Sequence, residues 1–225
     1  MDARIAAVPT DISVFRPEGQ SLAEQAYVEL RDRIVSLALP PGAPLNEDAL
    51  MAQLGFGRTP IREAIKRLAL EDLVTIYPRR GTFVSEIEIT DLAQISDVRL
   101  QLEGHAAYRA AQNATAEDRE AADALIDELG VPQPTPDELM RLDARIHRFV
   151  YRCSGNPFLA STLDRYLNLS LRIWYRVIDR LPHLEGSVYQ HRDLLTAVRD
   201  GDGERARELA SAHVETFERE IRTVL

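Results

Sequence analysis

Between Gly57 and Leu68 the chain reads Gly-Arg-Thr-Pro-Ile-Arg-Glu-Ala-Ile-Lys-Arg-Leu, and this stretch restricts what its surroundings can be. Ile61, Ala64, Ile65 and Leu68 recur at helical spacing and mark one buried side. Thr59 is placed to cap this helix, with Pro60 at its first position, where a missing N–H costs nothing. Arg58, Arg62 and Lys66 fall four residues apart and project from another side. A helix that buries one face and carries Arg near its N-terminus suits the DNA major groove, where Arg pairs bidentately with a guanine edge. An ordinary amphipathic surface helix with solvated charges fits the same residues. The flanking chain has to decide between them.

Upstream, residues 1–20 carry Pro9, Pro17 and Gly19 with little periodicity and read as a loose arm. A helix begins at Ser21, with Tyr27, Leu30, Ile34 and Leu37 on one stripe, and is expected to run to the breaker Pro40-Pro41-Gly42. Asn46 is a plausible cap for a short second helix with Glu47 and Asp48 in its first turn, ended near Gly55. A short turn through Gly57 then leads into the Thr59 helix, giving a helix-turn-helix. Downstream, two β-rich runs at 73–77 and 82–84 flank Pro78-Arg79-Arg80-Gly81 and read as a hairpin with a basic tip. Three helices and such a hairpin make a winged helix over residues 21–85.

The net charge of −9 argues by itself against nucleic acid. Its distribution argues the other way. Residues 1–85 hold 10 Lys/Arg against 11 Asp/Glu, while 86–225 hold 17 against 25. Between 58 and 80, six basic residues (Arg58, Arg62, Lys66, Arg67, Arg79, Arg80) accompany three acidic ones (Glu63, Glu71, Asp72). A DNA reader needs local phosphate contacts rather than a basic total. No apolar window approaches the roughly 18 residues of a transmembrane helix, and the N-terminus lacks the pattern of a signal peptide. A single cysteine, Cys153, fits a reducing cytoplasm.

After a short connection at 86–90, in which Thr90 is placed to cap the next helix, residues 91–225 read as helix throughout. Six helices are expected, at about 91–112, 115–130, 137–153, 158–180, 186–199 and 204–224, with a stiff Pro132–Pro136 linker and a break at Pro182. The expected fold is therefore mainly α: a winged helix-turn-helix of three helices and a hairpin, then an all-helical six-helix bundle. Asp143 and His147 are four apart and share a face. His191 lies in the first turns of the fifth helix, and His213 lies between Leu209 and Phe217 on the apolar face of the sixth. One carboxylate and three imidazoles aimed into a bundle from three helices suit a divalent transition metal such as zinc or nickel. Each histidine alone also fits a hydrogen-bonded core residue, as do His105 and His183.

Residues 21–85 resemble the winged helix-turn-helix domain of the GntR family of bacterial transcription regulators. The resemblance rests on Leu39-Pro40-Pro41-Gly42, Leu45, Arg58-Thr59-Pro60-Ile61-Arg62-Glu63-Ala64, Arg67-Leu68, Leu73-Val74 and Arg80-Gly81-Thr82-Phe83-Val84. It implies base or phosphate contacts from Arg58, Thr59 and Arg62, and entry of the wing at Gly81 into the minor groove. Phe56-Gly57 departs from the usual small residue and Ser or Thr, which limits position 57 to a backbone contact. Lys66 stands where the family varies.

Residues 91–218 resemble the FCD ligand-binding domain of the FadR subfamily, in its shorter VanR-like branch. Arg99-x-x-x-Glu103, Asp143-x-x-x-His147, Gly155-Asn156-Pro157, His191-x-x-Leu194-Leu195-x-Ala197, Gly201-Asp202-x-x-x-Ala206 and His213 carry it. The resemblance implies Asp143, His147, His191 and His213 as metal ligands, with zinc first and nickel or manganese as alternatives. Ile146 replaces an aromatic residue usual before the histidine. The resemblance also makes Arg99 a candidate clamp for an effector carboxylate, against the alternative of a surface Arg99–Glu103 pair. Arg172 and Arg176 are further candidates.

Together these features predict a homodimeric, cytoplasmic, bacterial transcription repressor. It would read a palindromic double-stranded operator through Arg58, Thr59, Arg62, Lys66, Arg79, Arg80 and Gly81, and answer to a small organic acid held at its metal. A metal-dependent hydrolase with a basic accessory domain is the competing reading, although no nucleophile–base pair or HExxH-type motif is present. A repressor that senses the metal itself is the third.

Overall fold

The structure is a computed structural model that describes residues 20–88, 90–131, 135–180 and 184–224. The expected arm apart from Gln20, Pro132 and Pro134 of the expected linker, Pro182 and His183 lie outside the described residues. The chain divides into two compact units, Met1–Ile87 and Glu88–Leu225.

In the first unit, α1 (Leu22–Val35), α2 (Glu47–Leu54) and α3 (Arg58–Leu70) precede an antiparallel hairpin of β1 (Val74–Tyr77) and β2 (Gly81–Val84). Ala26, Tyr27, Leu30 and Ile34 of α1 meet the predicted stripe Ile61, Ala64, Ile65 and Leu68 of α3, all buried. Burying the leucines and isoleucines among them stabilises by roughly 1.5–3 kcal/mol each. The register pairs Val74 with Val84 and Tyr77 with Gly81, so both ends of the hairpin fall where the β-rich runs place them. Two boundaries differ from expectation. Helix α1 stops at Val35 rather than near Pro40: the Ser36 N–H returns to the Asp32 carbonyl and Leu37 takes φ +62°. The Leu39 N–H then bonds back to the Arg33 carbonyl at 2.8 Å, so the left-handed Leu37 closes the helix before the prolines are reached.

Helix α3 begins two residues early. Gly57 occupies the N-cap with no side-chain capping bond, Arg58 and Thr59 lie within the first turn, and the Ile61 N–H bonds to the Gly57 carbonyl. Thr59 is therefore not the cap. Pro60 remains harmless because the first-turn amides have no intrahelical partner anyway.

The second unit contains, among the described residues, seven α-helices: α4 (Asp91–Asn113), α5 (Ala116–Leu129), α6 (Pro136–Cys153), α7 (Pro157–Val177), α8 (Leu184–Tyr189), α9 (His191–Asp200) and α10 (Gly203–Val224). The expected fifth helix is thus two elements, divided at Gln190, with His191 as the first residue of α9. Thr115 caps α5 through a full capping box with Asp118, whereas Thr90 makes no side-chain capping bond. Helix α4 packs along α10 and also meets α6, α7 and α9. Gly104 of α4 permits the close approach to α10: a Cβ there would lie 2.6 Å from the Ser211 hydroxyl and 3.3 Å from the Arg207 carbonyl. No helix among the described residues is long and apolar enough to cross a membrane.

Candidate nucleic-acid interface and metal centre

The exposed side of α3 presents Arg58, Thr59, Arg62 and Lys66, and the wing presents Arg79, Arg80 and Gly81, all exposed. The wing tip is backbone-determined. Arg79 takes φ +64°, a left-handed backbone uncommon for a residue with a Cβ, and Gly81 takes φ +115°, which glycine adopts freely; the Arg80 N–H closes the turn on the Tyr77 carbonyl at 3.0 Å.

The cations fall into two groups. Arg62 donates from Nε to Glu47 at 2.7 Å, and Arg58 donates from Nη2 to Asp48 at 2.9 Å. Among the described residues, no carboxylate lies within 4.0 Å of Lys66, Arg79 or Arg80. Arg67, counted with the basic patch in the sequence, faces α1 instead. Its guanidinium carbon sits 3.5 Å from the centre of the Tyr27 ring and it pairs with Glu24 and Glu71. The Tyr27 hydroxyl donates to the same Glu71, so these groups lock α1 to α3.

In the second unit the structure brings the four predicted ligands together at the bundle interior. Asp143 and His147 come from α6, His191 from α9 and His213 from α10. Asp143 is 0 % exposed and the three histidines 1–3 %. One donor atom from each lies within 4.8 Å of the other three. Nε2 of His191 is 2.8 Å from an Asp143 carboxylate oxygen, and Nε2 of His147 and His213 are 3.8 and 3.7 Å away. The three imidazoles crowd one another with ring centres 4.1–5.2 Å apart, His147 and His191 edge to face and the other two pairs tilted.

Several of these buried atoms have no hydrogen-bond partner among the described residues: Asp143 Oδ2, His147 Nε2, His191 Nδ1 and both ring nitrogens of His213. Leaving one such group buried and unsatisfied costs on the order of 1–3 kcal/mol, so a concentration of them needs a reason. A divalent ion satisfies it, because neutral imidazoles and a carboxylate are the donor set that such ions take.

The protonation pattern agrees. Burial pushes His213 well below the ordinary histidine pKa, and His191 and His147 add to the effect. Burial also lowers His191, although Asp143 opposes it. Burial alone would raise the Asp143 pKa, but His147, His191 and Arg99 overcome this and hold it low. His191 and His213 are thus favoured as neutral imidazoles beside an ionised Asp143.

Glu103 of α4 organises the surroundings. It accepts from His147 Nδ1 at 2.9 Å, from the Tyr151 hydroxyl at 2.7 Å and from Arg99 Nε at 2.7 Å. A carboxylate at Nδ1 keeps the proton there and leaves the Nε2 lone pair of His147 for a ligand role. Burial opposes the charge on Glu103, yet Arg99, His147 and Tyr151 hold its pKa well below the carboxylate range. The Arg99–Glu103 pair is real but lies in the core, 2–3 % exposed, rather than on the helix surface. Arg99 also lies 5.2 Å from the Trp174 ring centre. Arg172 is buried on α7, Arg176 is exposed, and so is His105.

Sequence reasoning passed over Tyr151, although its place four residues after His147 puts it on the same face of α6. It also took Glu47 and Asp48 only as first-turn acids. Their arginine partners lie 15 and 10 residues away, and no local spacing rule links them.

Comparison with known proteins bears on both units. Residues 22–84 match the model of the bacterial regulatory proteins, gntR family, and residues 94–216 match the FCD domain. The Nta operon transcriptional regulator of Aminobacter aminovorans is 31 % identical over 189 residues, covering 80 % of this chain and 85 % of its own. The HTH-type transcriptional repressor RspR of Escherichia coli is 25 % identical over 207 residues, covering 91 % of each. The structure of E. coli McbR/YncC shares the fold, with a TM-score of 0.76 at 23 % identity, covering 91 % of this chain and 98 % of that one. These matches indicate a regulator and not an enzyme, which removes the hydrolase reading. A gntR-type domain implies DNA binding, an FCD domain implies a small-molecule effector, and the chain belongs to the GntR family of bacterial transcription regulators, with a C-terminal FCD domain.

Proposed function

We propose that the chain is a cytoplasmic, homodimeric repressor. Its bundle holds a divalent transition metal, zinc first, on Asp143, His147, His191 and His213, and a small organic acid acts through that site. The observation that carries this reading is the set of buried, unpartnered donor atoms on those four residues. When bound, the metal supplies a Lewis-acidic point for a carboxylate or hydroxyl oxygen. Arg99 and Arg172, both buried cations of this bundle, are the groups proposed to meet the acid's remaining charge. On the DNA side, Arg58, Thr59, Arg62 and Lys66 enter the major groove, while Arg79, Arg80 and Gly81 reach along the wing. A dimer then requires a palindromic operator with fixed half-site spacing. The sign of regulation follows RspR, which is named a repressor. Effector binding shifts operator affinity only as far as the acid prefers one state of the regulator.

Elemental analysis of protein purified without an affinity tag tests the metal. About one ion per chain is expected, lost in the double variant His147→Ala/His213→Ala; metal-free protein after exposure to zinc, nickel and manganese would overturn the assignment. A gel shift against the regulator's own upstream DNA, with and without metal and with a panel of hydroxy acids, sugar acids and dicarboxylates, tests the response. If metal alone moves the shift, the chain is a metal sensor instead.

A further inference from the structure

The first turn of α2 carries two carboxylates on the same exposed side as the recognition arginines. Such a placement is unfavourable for a surface that must approach phosphates, since each negative charge weakens the electrostatic attraction on which non-specific binding depends. Glu47 and Asp48 do favour the N-terminus of α2, whose positive dipole end attracts acids. That benefit needs no contact with α3, yet each acid reaches a different arginine there.

The atoms engaged differ in a way that matters for base reading. Glu47 takes Nε of Arg62, and among the described residues nothing bonds to either terminal nitrogen of that guanidinium. A carboxylate on Nε fixes the side chain from behind and leaves the two terminal nitrogens as a fork for guanine O6 and N7. Asp48 takes Nη2 of Arg58, a nitrogen that belongs to both bidentate edges of a guanidinium. Arg58 therefore competes between Asp48 and whatever DNA offers. Lys66, Arg79 and Arg80 face no such competition among the described residues.

We propose that Glu47 and Asp48 are specificity-determining residues of the DNA reader: Glu47 presents Arg62 end-on to a guanine, and Asp48 makes Arg58 give up a carboxylate before it engages DNA. Glu47 acts through Arg62 and is a positioning residue. Asp48 selects against duplexes that offer Arg58 only a diffuse phosphate field. The unpaired cations of α3 and the wing supply attraction to any duplex, and the two paired arginines respond only where a base edge replaces the carboxylate. This inference rests on the reading that α3 lies in the major groove.

The test uses the full-length protein and a pool of duplexes with a randomised core. The duplex that the unaltered protein enriches, and a scrambled duplex of equal composition, then serve as probes in titrations. Glu47→Ala is expected to lower the preference for the enriched duplex by roughly tenfold, relaxing the same base position that Arg62→Ala relaxes. Glu47→Gln, which keeps an acceptor for Nε, should recover most of that preference. Asp48→Asn should tighten binding to the scrambled duplex severalfold and so shrink the ratio. If Glu47→Ala and Asp48→Asn change both duplexes by equal factors, the acids act only as surface charge and the proposal is overturned. If Arg62→Ala leaves the enriched sequence unchanged, the underlying reading of α3 falls as well. Circular dichroism monitors folding, and Glu47→Met replaces the Ala variant should that one unfold.

Discussion

Two Arg–Glu pairs sit at opposite extremes of solvent exposure. Arg62 and Glu47 meet at 2.7 Å with their side chains 56 % and 34 % exposed, whereas Arg99 and Glu103 meet with both at 3 %. The residue types and the contact are the same, yet the energetics are opposite. In water the pair is worth little, because hydration competes with it and salt screens it. Its value lies in orientation, and it opens easily when a better partner arrives. In the core neither charge can return to water, so the pair has to be complete, and Glu103 completes it by serving Arg99, His147 and Tyr151 together. An exposed pair suits a reader that exchanges partners, and a sealed pair suits a frame that must not move.

The largest effect that would test this contrast is on stability. Glu103→Ala should destabilise the bundle by about 3–5 kcal/mol, since it strands Arg99 as a buried, uncompensated charge. Thermal or chemical unfolding measures it, and a loss under 1 kcal/mol would show that the interior is wetter than the burial implies.

Lowering the pH of the metal-free protein comes next. Because the folded pKa values of His191 and His213 lie below the ordinary 6.5, the unfolded chain takes up those protons first. Stability is therefore complete above pH 6.5, falls as the pH drops through and below it, and falls further once Asp143 and Glu103 are titrated. Residues 1–87 contain no histidine, so only the bundle's transition should move between pH 7 and 5.5 in calorimetry.

On the exposed side, Arg62→Ala should cost about 1–3 kcal/mol of operator binding with little change in melting temperature. A fall in melting temperature matching the loss in binding would assign Arg62 to the fold instead. The smallest effect is on the fold itself: Glu47→Ala should change unfolding free energy by no more than about 1 kcal/mol, measured by denaturant titration. A larger loss would erase the distinction between the two pairs.

What the sequence reveals follows the range of the interactions involved. The stripe Ile61, Ala64, Ile65, Leu68 and the pair Asp143, His147 are local patterns, and the structure reproduces both as faces of single helices. The start of α3 is misread because Gly57 and Thr59 both tolerate the extended N-cap backbone, and the choice depends on how the turn from α2 closes. The break at Gln190 has no Pro or Gly to announce it. His191 and His213 can be placed on inward faces from their own helices, but their meeting with Asp143 depends on how α6, α9 and α10 pack. Trp174 meets Arg99 and Phe217 only through the packing of α7 on α4 and α10.

Gly104 follows Glu103 directly in α4, and its missing side chain lets α10, the helix that carries His213, come close. The dimensions of the donor cluster are therefore set partly by a residue that is not one of its candidate ligands. A single methyl group at 104 would act as a shim between the two helices, altering how His213 aligns with Asp143. The geometry of the proposed metal site can thus be adjusted from behind, by the thickness of a helix contact, while every donor atom stays the same.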